Sequence, residues 1–265
     1  PSNPQFLMMN NNNNILANNN NNNNTKTSMS TLHNKICLNV DEKSVRQIFR
    51  SSDAVCFDVD STVCRDEAID ELAIFANKEK EVMEMTRRAM RGGCSFYDAL
   101  AKRLQLIQPT VEMVTEYLRI HPPRFTPGIK ELVALLHSQG VHVYLVSGGF
   151  YSIIEPVAKE LGIPYKNIFA NRIKFFYDGN YAGFDESEPT CQQNGKAKVV
   201  AYLKNRYKYR YITIVGDGVT DLEACPPADA FIGFGANQIR EKVKKEAKWF
   251  ATSFYDLIEE LKLNN

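Results

Sequence analysis

The sequence predicts an α/β fold: a doubly wound parallel sheet that carries an inserted helical bundle and a small β-hairpin. Three observations lead there. From about residue 40 onward, short β-rich apolar runs alternate with helical stretches. Strand, helix, strand in repetition builds a parallel sheet with helices on both faces. Residues 66–120 break this alternation with several helical patterns and no strand signal. Residues 171–186 hold Phe175-Phe176-Tyr177 and Tyr181-Ala182-Gly183-Phe184 around Asp178-Gly179-Asn180, which is a hairpin signature.

Taken in order, residues 1–35 form an asparagine-rich tail, with runs at Asn10–Asn14 and Asn18–Asn24. Too few apolar groups are present to offset the entropy of ordering it, so disorder is expected. The α/β core is assigned to residues 36–63 and 124–265, and a helical cap to residues 64–123. The core strands are read at Ala54-Val55-Cys56-Phe57-Asp58-Val59, Val141-His142-Val143-Tyr144-Leu145-Val146, Tyr211-Ile212-Thr213-Ile214-Val215 and Ala230-Phe231-Ile232-Gly233. Core helices are expected near 127–139, 150–161 and 195–206; Pro156 should kink the second of them or delay its start. In the cap, Glu79–Arg91 reads as a helix stopped by Gly92-Gly93. Ser95-Phe96-Tyr97-Asp98 reads as a capping box for the next helix, and Pro122-Pro123 closes the segment.

Composition narrows the function classes. The chain has 265 residues, 44% hydrophobic, which suffices for one ordinary core and a small second unit. Its 32 basic and 31 acidic residues are interspersed, giving a net charge of +1. No basic face or acidic tail emerges, so neither nucleic acid nor a membrane surface is expected as partner. No apolar run approaches the roughly 20 residues that span a bilayer, and the N-terminus lacks a secretory layout. Cys37, Cys56, Cys64, Cys94, Cys191 and Cys225 show no paired spacing. Free thiols in a reducing compartment are therefore expected, and with them a cytoplasmic location.

Four groups of residues carry candidate chemistry. Asp58-Val59-Asp60-Ser61-Thr62 ends the first strand, and sites in open parallel sheets form beyond the carboxyl ends of strands. An Asp pair can equally end a strand in solvent. Val146-Ser147-Gly148-Gly149 ends the second strand, where glycine N–H groups and a helix start suit an anion; a plain turn is the commoner explanation. Asn194-Gly195-Lys196 opens a helix with a cation, against the helix dipole. That conflict vanishes if Lys196 reaches a bound phosphate. Gly216-Asp217-Gly218-Val219-Thr220-Asp221 follows the third strand. Asp217 and Asp221, four apart, should share one side of a helical turn, and paired carboxylates suit a hard divalent cation.

Singly ambiguous, the four are specific in their joint order. Asp58-x-Asp60-x-Thr62, strand-terminal Ser147, Lys196 and the Gly216-Asp217-Gly218-x-x-Asp221 run resemble the haloacid dehalogenase superfamily over about residues 50–250. Within it, Asp58–Val63, Thr86-Arg87-Arg88-Ala89-Met90, Phe125-Thr126-Pro127-Gly128, Leu145–Phe150 and Ala224-Cys225-Pro226-Pro227-Ala228-Asp229 resemble the phosphoserine phosphatases. One departure stands out: Arg91 occupies a place where those enzymes commonly have glycine.

The resemblance implies a Mg²⁺-dependent phosphatase acting on O-phosphoserine, a small phosphate ester, in serine biosynthesis; it also suggests a homodimer. Asp58 would be the nucleophile and Asp60 the acid and base. Ser147, Gly148 and Lys196 would hold phosphate. Asp58, the Asp60 carbonyl and Asp217 would bind the metal, with Asp221, Thr62 and Thr220 in support. Glu67, Met90, Phe96 and Arg103 match the substrate shell, where Glu67 would pair the ammonium and Arg103 the carboxylate. From the residues alone, Met90 and Phe96 read better as ordinary core than as substrate contacts, and Arg103 reads readily as a solvated surface charge. Two rivals stay open: a phosphatase of phosphoethanolamine or a nucleotide, and a non-catalytic module phosphorylated on Asp58.

Overall fold

The structure, a computed structural model, describes residues 41–90 and 95–263, with residues 86–90 described by their backbone alone. The asparagine-rich tail, Arg91, the Gly92-Gly93 stop, Cys37 and Cys94 lie outside the described residues.

Helix α1 (Glu42–Arg50) starts at Asp41, whose side chain accepts the Ser44 N–H. Strand β1 (Ala54–Phe57) follows. Then come four helices, α2 (Ala68–Phe75), α3 (Glu79–Met90), α4 (Phe96–Ile107) and α5 (Val111–Ile120). The chain returns through α6 (Ile129–Ser138), β2 (His142–Phe150), α7 (Tyr151–Glu160) and β3 (Ile168–Asn171). Strands β4 (Ile173–Phe175) and β5 (Tyr181–Phe184) pair as the antiparallel hairpin. The remainder is α8 (Gly195–Tyr207), β6 (Ile212–Gly216), α9 (Val219–Leu222), β7 (Ala230–Phe234), α10 (Glu241–Glu246), β8 (Trp249–Ala251) and α11 (Phe254–Lys262).

Six strands form one parallel sheet in the order β3-β2-β1-β6-β7-β8. Residues alternate between its faces. Val55, Phe57, Val143 and Leu145 join a core beneath α1, α6, α7 and α11, while Ala54, Cys56, Tyr144 and Val146 join one beneath α8. Burial on both faces is why these strands read as unbroken apolar runs rather than alternating ones. Edge strands β3 and β8 are absent from the sequence reading, with only three apolar residues in each. Pro156 sits inside α7, which begins directly after Phe150, so the helix does not start late. The proline removes only one backbone donor.

The segment between Cys64 and Phe125 consists of helices α2 to α5 and short connections, with no strand among its described residues. Its ends are joined by a bridge between Cys64 and Phe125, by the Arg65 N–H donating to the Arg124 carbonyl (2.9 Å), and by an Arg124–Asp66 ion pair. Leu72, Val82, Leu100, Leu104 and Tyr117 bury together with Phe150 of β2 and Phe184 of the hairpin. The helical segment thus packs on both the main sheet and the hairpin. As anticipated, Ser95 caps α4 and accepts the Asp98 N–H. Cys56, Cys64, Cys191 and Cys225 are free thiols, and no described helix is long and apolar enough to cross a membrane.

Candidate active site

Asp58 continues β1 by one hydrogen bond, its N–H donating to the Val215 carbonyl at 2.9 Å. The chain then turns sharply: Ser61 takes a left-handed conformation (φ 56°). That turn lets Asp58 and Asp60 diverge, whereas a continuing strand would stack them on one face. Asp60 Oδ1 accepts the N–H of Ala68, the first residue of α2, at 3.1 Å. Its other oxygen lies where a side chain on Gly149 would stand: a Cβ there would meet Oδ2 at 2.6 Å. A side chain at 149 would therefore displace the Asp60 carboxylate.

Ser147 is fully buried, and its Oγ accepts the Gly149 N–H at 2.9 Å. With that lone pair occupied, the hydroxyl proton is free to be donated elsewhere. Asn171, on neighbouring β3, donates to the Gly148 carbonyl at 2.7 Å and accepts from Thr190 at 2.7 Å. These contacts fix the orientation of the Gly148 backbone. The Phe96 ring comes from α4 and covers Gly148, close enough that a Cβ there would clash at 2.8 Å.

Lys196, in the first turn of α8, bridges two carboxylates: Asp58 Oδ2 at 2.8 Å and Asp221 Oδ1 at 2.7 Å. Burial alone would lower its pKa, but Asp221 and Asp58 outweigh this and raise it, so the ammonium stays charged. Asp217 follows β6 and precedes α9, so it and Asp221 converge across a loop rather than along one helical turn. Gly216 makes room for Asp221, whose carboxyl carbon would lie 2.3 Å from any Cβ at 216. Asp217 accepts from Thr62 Oγ1 (3.1 Å) and from Arg240 Nε (2.7 Å). Thr220 is exposed and does not share the buried support that Thr62 gives.

One ligand atom from each of Asp58, Asp217 and Asp221 lies within 4.8 Å of the other two, and all three residues are buried. Three carboxylates here face two cations, Lys196 and Arg240. The uncompensated charge and the all-oxygen donors fit a hard divalent metal ion. The electrostatics agree. Burial, then the Glu67 and Asp58 charges, push Asp60 well above the ordinary carboxyl range. Burial and Asp58 do the same to Asp221, and more mildly to Asp217.

Glu67 stands at the entry to α2. Both of its contacts fall on Oε1, from Ser61 Oγ (2.7 Å) and Arg240 Nη2 (3.2 Å). Oε2 has no protein donor among the described residues. Arg103 is half-buried, donates through Nε to the Ala99 carbonyl at 3.1 Å, and feels the charge of Asp70. The Met90 side chain lies outside the described residues. A cavity of about 390 Å³ between α5 and α7 touches this cluster only through Asp60.

Residues 52–229 match the haloacid dehalogenase-like hydrolases. The chain belongs to that family. Among members of this hydrolase family, the phosphoserine phosphatase of Rattus norvegicus is 56% identical over 222 residues, covering 84% of this chain and 99% of the rat protein. A solved substrate-bound phosphoserine phosphatase complex superposes with a TM-score of 0.68 at 28% identity, over 79% of this chain and 97% of the other. A phospho-aspartyl intermediate analogue of phosphoserine phosphatase gives a TM-score of 0.67 at 27% identity, over 78% and 97%. Membership in this hydrolase family and these relatives make the chain a phosphatase.

Sequence reasoning missed Ser61, Asn171, Thr190, Asn237 and Arg240. A weak signal existed for the last two: Gly235-Ala236-Asn237-Gln238-Ile239-Arg240 follows β7, again beyond the carboxyl end of a strand. Asn171 ends β3, a strand that was itself unread.

Proposed function

We propose that the chain hydrolyses O-phosphoserine to serine and phosphate through a phosphoryl group carried on Asp58. The observation that supports this most is the placement of the buried Asp58 carboxylate against Lys196, with Asp217 and Asp221 close by. Nucleophile, cation and metal-suited carboxylates then meet at one strand end. Such a reaction needs positioning and charge neutralisation above all.

In the first step an Asp58 oxygen attacks phosphorus, and the bond to the serine oxygen breaks. Asp60 supplies the proton that the departing oxygen takes; the pressure on its pKa keeps a proton available. In the second step water attacks phosphorus and gives its proton to Asp60, and Asp58 is released. Ser147, its hydroxyl proton unengaged, donates to a phosphoryl oxygen, together with the Gly148 N–H and Lys196. Asp58, Asp217 and the Asp60 carbonyl would hold Mg²⁺, which supplies neutralising charge at the phosphoryl oxygens. Asp221 holds Lys196 in place, and Thr62 holds Asp217.

Residues 64–123 act in this reading as the cap that selects the substrate. Glu67 Oε2 receives the ammonium and Arg103 the carboxylate, while Phe96 and Met90 close the sides. An ester lacking the carboxylate forgoes the ion pair to Arg103, which disfavours phosphoethanolamine. Consuming phosphoserine would place the chain at the last step of serine biosynthesis. The free thiols suit a reducing, cytoplasmic setting. Phosphate release should be measured from O-phosphoserine, phosphoethanolamine and a nucleoside monophosphate, each with Mg²⁺. Phosphoserine should be turned over fastest; release from the others but not from phosphoserine overturns the assignment.

A further inference from the structure

Asn237 lies in the loop between β7 and α10, far along the chain from the nucleophile, yet its amide is spent on the segment that follows Asp58. Nδ2 donates to the Ser61 carbonyl at 3.0 Å and to Thr126 Oγ1 at 2.6 Å. Thr126, 2% exposed, donates in turn to the Thr62 carbonyl at 2.7 Å. The amide therefore pins the turn on which Ser61 holds its left-handed conformation. A non-glycine residue there costs energy and persists only where its surroundings hold it. Ser61 uses the resulting orientation for one side-chain contact, the 2.7 Å hydrogen bond to Glu67 Oε1. Three residues after Asn237, the same loop delivers Arg240 to that same oxygen.

We propose that Asn237 is a positioning residue for recognition of the substrate's ammonium group. It acts through Ser61: by holding the turn, it fixes the hydroxyl that turns Glu67, so that Oε2 faces the incoming cation. Among the described residues Asn237 makes no hydrogen bond to Lys196, Ser147 or the carboxylates of Asp58, Asp217 and Asp221, so it reaches the phosphate end only through the backbone of the turn, whereas the Ser61 hydroxyl on that turn bonds Glu67 directly. The consequence is selectivity. Loss of Asn237 weakens binding of a phosphate ester that carries an ammonium, and leaves an otherwise identical ester without one nearly unaffected. This inference rests on the phosphoserine reading above, and wild-type turnover of phosphoserine is therefore measured first; its absence would fail that reading rather than this one.

With an active wild type, Asn237→Ala, Ser61→Ala and the double variant are compared on two compounds. One is O-phosphoserine, followed by KM and kcat. The other is 3-phosphooxypropanoate, which is phosphoserine without its amino group, followed as a competitive inhibitor. Each single variant should raise the phosphoserine KM about tenfold while the inhibition constant moves less than about twofold, and in Ser61→Ala, which keeps the backbone bonds of the turn, kcat should change less than about threefold. The double variant should be no worse than either single one, because both act through one hydrogen bond to Glu67. Asn237→Asp, which keeps the shape and loses the donors, should behave as Asn237→Ala does. Should Asn237→Ala fail to fold, Asn237→Asp and Ser61→Ala carry the same comparison. Equal weakening of both compounds, additive losses in the double variant, or an unchanged KM would each overturn the proposal.

Discussion

At the scale of single residues, the site is a set of buried charges that hold one another. In the proposed reaction Asp58 is the group with no substitute, since it would form the bond to phosphorus. Asp58→Asn keeps shape and removes the nucleophilic charge; it should fold normally and lose more than about a thousandfold in kcat. Retained turnover in a folded variant would remove Asp58 from its role. Gly149→Ala tests the fit around Asp60, because the new methyl would stand 2.6 Å from Oδ2. Displacement of a reacting group by about an ångström costs on the order of a hundredfold in rate. A fall of that size in kcat, with KM little changed, is the expected outcome in steady-state kinetics. Asp58, Asp60, Ser147 and Asp217 were legible as candidates in the sequence because each is polar where an apolar run stops, and Lys196 because it opens a helix against the dipole. Arg240 was not, since its partner Glu67 lies 173 positions away and only closure of the fold brings them together.

At the scale of elements, the turn after β1 separates the two aspartates, and in the proposed function the helical segment would supply the residues that select the substrate. Its helices should each depend on their caps. Ser95→Ala removes the acceptor for the Asp98 N–H at the start of α4, the helix that carries Phe96 and Arg103. A loss of about 1 kcal/mol is expected from such a cap, seen as a lower melting temperature in thermal denaturation. An unchanged melting curve would show that the cap carries little. The long inner strands were legible as apolar runs, and the hairpin was legible from Asp178-Gly179-Asn180. Strands β3 and β8 were not, because three apolar residues look alike in an edge strand and a buried loop. Helix α11 was also unread, although Ser253 caps it and five of its nine residues are buried.

At the scale of the whole molecule, carboxylates crowd the carboxyl end of the sheet, and their charge links stability to pH and to metal. Asp60 and Asp221 have folded pKa values raised above the ordinary ones, first by burial and then by neighbouring carboxylates. Groups raised in this way favour folding while protonated. Their contribution is present below the unfolded pKa and disappears as pH rises through the folded one. Metal-free protein should therefore melt at a higher temperature in mildly acidic than in alkaline buffer, and Mg²⁺ should raise the melting temperature most in alkaline buffer. A melting temperature that climbs with pH in the metal-free protein, or ignores Mg²⁺, would contradict the charge arrangement.

A phosphoryl group resting on one carboxylate at the first strand end is the centre of the proposed mechanism. Its most direct measurement is to mix the protein with O-phosphoserine and Mg²⁺, quench in acid within a turnover, and locate the added phosphoryl group by peptide mass spectrometry. The group should be found on Asp58 in the wild type and be missing from Asp58→Asn. Rapid phosphate release with no phosphorylated peptide, or with the label on another residue, would contradict it.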